Sequence, residues 1–78
     1  MKKVTLEGII DILNANIEHA NITAEQADQD LRDVGMDSIL FIQIIVSLEE
    51  EFECEIPDEK ILLLELNTVN KIYAVLTS

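Results

Sequence analysis

A chain of 78 residues supports one small domain, and a hydrophobic fraction of 49% is enough to give that domain a core. A net charge of −11 excludes nucleic-acid binding, which needs Lys and Arg to displace counterions from phosphates, and electrostatic attraction to anionic lipid. Two glycines and one proline exclude a linker or disordered tail, and the runs Ile39–Ile42 and Ile44–Val46 are too short to span a bilayer.

Leu6, Ile9, Ile10, Leu13 and Ile17 recur at helical spacing behind Thr5, a good N-cap. They predict a first helix from about Thr5 to about Glu18. Residues 21–36 then read as a long, mostly irregular connection, because Thr23, Asp28, Asp30 and Asp33 compete with helix for backbone amides. Ile22, Leu31 and Val34 are expected to plug it into the core, with a short helical turn near Ala24–Asp28. A second helix is predicted from about Ser38 to about Glu53, capped by Asp37 or Ser38. Its stripe of Phe41, Ile44, Ile45, Leu48 and Phe52 faces the core.

Ile39, Ile42 and Val46 form a second apolar stripe on that helix. A domain this small cannot surround a helix with two such stripes, so part of the second is expected at the surface as a docking face. Val46 suits the core and the docking face about equally. Pro57 makes Glu55-Ile56-Pro57 extended. Asp58 to Leu64 reads as a short helix or ordered loop. Asn67 or Thr68 caps a last helix to about Leu76, with Val69, Ile72, Tyr73 and Leu76 inward. The expected fold is all-α: one domain over residues 1–78, a small four-helix bundle of three main helices and one short one, with a long loop after the first.

Ser38 is the residue best placed for chemistry. Gly35 permits a tight turn before it, and a helix N-terminus offers unpaired amides and a positive dipole end beside its hydroxyl. A phosphodiester on that oxygen would sit in a favourable field. The segment that follows it holds no residue resembling an activating base, so the hydroxyl is better suited to being modified than to attacking a substrate.

The segments Gly35-Met36-Asp37-Ser38-Ile39, Ser47-Leu48-Glu49-Glu50-Glu51-Phe52, Glu55-Ile56-Pro57-Asp58 and Asn67-Thr68-Val69 stand in order and at suitable spacing over nearly the whole chain. Together they resemble an acyl carrier protein. The resemblance implies a four-helix bundle and 4′-phosphopantetheine, moved from coenzyme A onto Ser38 beside its motif neighbour Asp37. The arm's thiol would carry acyl groups as thioesters, and the protein itself would not be an enzyme. Ile39, Leu40, Ile42, Val46 and Glu49 match the helix that docks partners in that family. The implied partners are a phosphopantetheinyl transferase and acyl-loading and acyl-processing enzymes with basic and apolar surfaces. A monomer without nucleic acid or membrane insertion is expected.

Two positions depart from the carriers of fatty acid synthesis, which usually have acids two and five residues after the serine. Here Leu40 and Gln43 stand there, and the acids Glu49, Glu50, Glu51, Glu53 and Glu55 come later. Residues 61–66 are also longer than in those carriers. The first departure argues against the housekeeping fatty acid synthase and for a narrower partner set, while the longer segment resembles carriers of polyketide, peptide or other specialised pathways; fatty acid-type biosynthesis stays open.

The remaining candidates favour plain readings. His19 is expected to be solvated at a helix end, so a serine hydrolase has little to stand on. A thiol at Cys54 flanked by Glu53 and Glu55 would be raised in pKa, which suits a structural or incidental residue. As a lone cysteine it fits the reducing cytoplasm. No signal peptide is expected, since Glu7 and Asp11 interrupt the N-terminal apolar stretch. Asp28, Asp30, Asp33 and Asp37 fail EF-hand spacing, because Arg32 and Ile39 occupy ligand positions. The alternative to a carrier is a helical interaction domain with an unmodified Ser38.

Overall fold

Thr5 starts the first helix by accepting the Gly8 amide at 3.0 Å on its side-chain oxygen. That helix, α1, is Leu6–Asn16 in this computed structural model, which describes residues 3–62 and 65–77. It ends two residues before the predicted Glu18, because Ile17 turns into extended backbone (φ −95°, ψ 115°). His19 follows with φ 64°, a left-handed conformation uncommon for a side-chain-bearing residue. Ile9, Ile10, Leu13 and Ile17 are buried, as their spacing predicts, and Leu6 is half-buried against the same core.

The second helix, α2, is Ser38–Glu51, and the third, α3, is Val69–Leu76 with Thr68 as its side-chain cap. Phe41, Ile44, Ile45, Leu48 and Phe52 are all buried. Val69 and Ile72 are buried too, while Tyr73 and Leu76 pack at the edge of the core. Each fully buried Ile or Leu contributes roughly 1.5–3 kcal/mol relative to an exposed one. Gly8 explains how α1 meets the end of α2: a Cβ there would lie 2.7 Å from Phe52 Cζ.

The long connection is more ordered than predicted. It contains the expected turn, a 3₁₀ turn at Ala24–Gln26, and a second at Leu31–Val34 that has no apolar period to announce it. Its first half is fixed by the Asn14 side chain, whose Nδ2 donates to the Ile22 carbonyl at 3.0 Å and whose Oδ1 accepts the Ile22 amide at 2.8 Å. Ile22 and Leu31 are buried plugs and Val34 is half-buried. Ala27 and Met36 are also buried, and so are Ile56 and Leu66 further on; single apolar residues in irregular backbone carry no period to read.

The all-α class is correct: among the described residues there are three α-helices and no strand. In the segment read as a short helix or ordered loop stands a 3₁₀ turn, Asp58–Lys60, which ends where Ile61 leaves helical backbone at φ −86°, ψ 72°. Leu63 and Leu64, which the prediction included there, lie outside the described residues.

The second half of the connection is tied to the start of α3. Leu31 N donates to the Asn67 carbonyl at 2.7 Å, and Asn70 N donates to the Ala27 carbonyl at 3.0 Å. Asn67 Nδ2 donates to Asp30 Oδ2 at 3.0 Å, and Asn70 Nδ2 donates to Asp28 Oδ1 at 2.6 Å. Asp30 also caps the Leu31–Val34 turn through the Arg32 amide at 2.9 Å and pairs with the Arg32 guanidinium at 2.7 Å.

Hydrogen bonds from the Arg32 side chain and backbone, then from Asn67, hold the Asp30 carboxyl well below the usual carboxylate range. A carboxyl with a depressed folded pKa stabilises the fold above its unfolded pKa, about 4, and loses that stabilisation as pH falls toward its folded value. Asp30→Asn is therefore expected to melt below the wild type at pH 7. The gap should narrow progressively as pH falls from roughly 5 to 2 in thermal melts across pH. A gap unchanged over that range would count against the ion pair as its source.

Candidate functional site

The approach to Ser38 is built from the loop. The Leu31–Val34 turn ends at Gly35 in left-handed backbone (φ 108°), where an L side chain is strained. Met36 donates its amide to the Leu31 carbonyl at 3.1 Å and buries its side chain. Asp37 then adopts extended backbone (φ −126°, ψ 178°), and its Oδ1 accepts the Leu40 amide at 2.8 Å. Its carbonyl accepts the Phe41 amide, also at 2.8 Å.

Asp37, not Ser38, is thus the cap, and Ser38 is the first residue of α2. That leaves the Ser38 side chain exposed, with its hydroxyl in no hydrogen bond among the described residues. The amides of Ser38 and Ile39 precede the first intrahelical bond and face the positive end of the helix dipole.

These features fit a phosphodiester on the serine oxygen. The oxygen is accessible, unpaired amides adjoin it, and the nearest carboxylate is engaged as a cap. His19, the sole histidine, is 90% exposed and lies 3.4 Å from Glu18, so no serine–histidine pair is built here.

The second stripe of α2 is at the surface. Ile39 is 75% exposed, Ile42 50% and Val46 47%. Val46, equally suited to either face on sequence, is on the outer one. Leu40 and Glu49 have other work. Leu40 is half-buried against the core. Glu49 Oε2 accepts the Ile56 amide at 2.7 Å and its carbonyl accepts the Cys54 amide at 3.0 Å, which closes the turn after α2. Glu49→Ala should therefore cost about 1–2 kcal/mol in chemical denaturation by stranding a part-buried amide, a loss that a purely surface acid would not show.

Gln43 is exposed, and residues 38–48 carry no charge. The half-buried Cys54 thiol is pushed up by burial first and by the Glu49 carboxylate second, not by the flanking Glu53 and Glu55 named from sequence. No cluster of His, Cys, Asp or Glu among the described residues could hold a metal ion. No helix among them is long and apolar enough to cross a membrane.

The exposed stripe of Ile39, Ile42 and Val46 lies where its spacing predicts. Sequence reasoning missed the anchoring roles of Asp30, Asn67 and Asn70, whose bonds join residues 37 and 42 apart in the chain.

The phosphopantetheine attachment site family matches residues 8–76. A D-alanyl carrier protein of Lactobacillus helveticus is 35% identical over 79 residues, covering 95% of this chain and 92% of the relative. No solved structure matches the chain. A family match across nearly all the chain, a carrier relative aligned over nearly all of both chains and an accessible serine at a helix start agree: the protein belongs to the phosphopantetheine-binding carrier proteins and takes 4′-phosphopantetheine as its covalent prosthetic group.

Proposed function

We propose that Ser38 is the attachment point and that the chain, a single domain over residues 1–78, acts as a cytoplasmic monomeric carrier of activated acyl groups. The observation that carries this reading is the division of labour at the start of α2: Asp37 caps the helix, so the exposed Ser38 hydroxyl is available. When bound, the prosthetic group supplies a thiol on a long arm, where a carboxylic acid is held as a thioester. The chain's part is to present Ser38 and a docking face, while partner enzymes perform the transfers.

Ile39, Ile42 and Val46 form the centre of that face. Leu40 supports it from the core side, and Glu49 fixes its far end. A specialised pathway is favoured over fatty acid synthesis. The exposed start of α2 is uncharged, and the D-alanyl carrier relative points to a small aminoacyl cargo.

The test is direct. The pure protein is incubated with coenzyme A, Mg²⁺ and a broad-specificity phosphopantetheinyl transferase, and its intact mass is taken. A gain of one phosphopantetheine group, mapped to the peptide holding Ser38, is expected. No gain with several transferases would sink the assignment and leave an interaction domain with an unmodified serine. Loading of the modified protein by an ATP-dependent ligase with D-alanine, compared with fatty acids, then separates the cargo classes.

A further inference from the structure

We infer that Asp30 and Asn67 are positioning residues for Ser38: together they lock the loop leading to the serine against the start of α3, in the form a modifying enzyme recognises. This rests on Ser38 being the attachment point.

The two residues sit in one polar chain. Arg32 pairs with Asp30, Asn67 Nδ2 donates to Asp30 Oδ2 at 3.0 Å, and Lys71 Nζ donates to Asn67 Oδ1 at 3.0 Å. Beside it, Leu31 N donates to the Asn67 carbonyl at 2.7 Å. Asp30 also starts the Leu31–Val34 turn by capping the Arg32 amide.

Only Gly35, Met36 and Asp37 separate the end of that turn from Ser38. Gly35 is held in left-handed backbone by the turn's own bonds, and Met36 hangs from the Leu31 carbonyl. The placement of the Asp37 cap therefore follows from where the turn is fixed, and α3 fixes it. Asp30 is eight residues before Ser38 and Asn67 is twenty-nine after it, so neither need touch a bound enzyme to affect it.

Releasing the lock leaves the buried stripe of α2 in place. It lets the segment from Leu31 to Asp37 sample other arrangements. The enzyme then meets a carrier whose competent form is only partly populated, and apparent affinity falls by that fraction. The signature is a KM effect with kcat nearly unchanged. A merely stabilising residue would move neither at temperatures well below the melting midpoint.

Steady-state modification of the full chain by a phosphopantetheinyl transferase tests this. Asp30→Ala and Asn67→Ala are each expected to raise KM about five- to tenfold, with kcat within about twofold. The double variant should be no worse than the more affected single one, because both break one lock. Asp30→Asn, which keeps an oxygen for the Arg32 amide, should recover part of the loss.

Asn14→Ala releases the other half of the loop at Ile22. It should lower the melting midpoint but leave KM at the wild-type value. The inference is overturned if Asp30→Ala and Asn67→Ala keep a wild-type KM, or if Asn14→Ala raises KM equally. A wild-type chain that gains no mass overturns the Ser38 assignment, and this inference with it.

Discussion

Ser38→Ala is expected to lose phosphopantetheine attachment completely while keeping a melting midpoint within about 2 °C of the wild type. Both halves follow from the same geometry. The alanine variant lacks the oxygen to be modified. It keeps the helix start, because the Asp37 carboxylate and carbonyl satisfy the Leu40 and Phe41 amides. Asp37→Ala is the counterpart: it removes the cap and should cost about 1 kcal/mol. Intact mass and a thermal melt on the two variants check the pair. If Ser38→Ala melted several degrees lower and Asp37→Ala did not, the cap would belong to the serine and its hydroxyl would not be available as argued.

Ile42→Asp and Ile44→Asp, two residues apart on one helix, are expected to fail in opposite ways. Ile44 is fully buried. A carboxylate there loses the buried side chain and must be desolvated without a partner. A domain of this size has only roughly 5–10 kcal/mol of stability to lose, so Ile44→Asp should not fold at 37 °C. Ile42 is 50% exposed, and its change should cost the fold well under about 1 kcal/mol.

At the centre of the proposed docking face, the same charge should lower the efficiency of modification by about tenfold or more. Circular dichroism with the transferase assay separates the outcomes. An unfolded Ile42→Asp would place that residue in the core. A folded variant modified at the wild-type rate would move docking elsewhere.

The contrast between those two isoleucines was legible in the chain itself. α1, α2 and α3 follow apolar residues three and four apart, and two stripes on α2 mean that one must face outward. The assignment of Ser38 rests on a different signal, four short segments in order that resemble a known family. The loop was not legible. Asp30 and Asn67 each look like ordinary turn residues, and only the folded chain shows that one side chain completes the other. Glu49 sits in a run of acids and reads from sequence as a docking residue, yet it accepts a backbone amide seven residues ahead. Hydrogen bonds between irregular segments have no period, so local pattern cannot announce them.

The uncharged stretch from Ser38 to Leu48, followed by a dense group of glutamates, makes α2 electrically lopsided. A basic partner feels the far end of the helix first and at longer range, so ionic strength should govern how often the two molecules meet. How long they stay together would be set at the other end, by Ile39 and Ile42 of the proposed docking face, and should be nearly indifferent to salt. Under the proposed docking, encounter and residence fall to opposite ends of one fourteen-residue helix, with Ser38 at the end that governs residence.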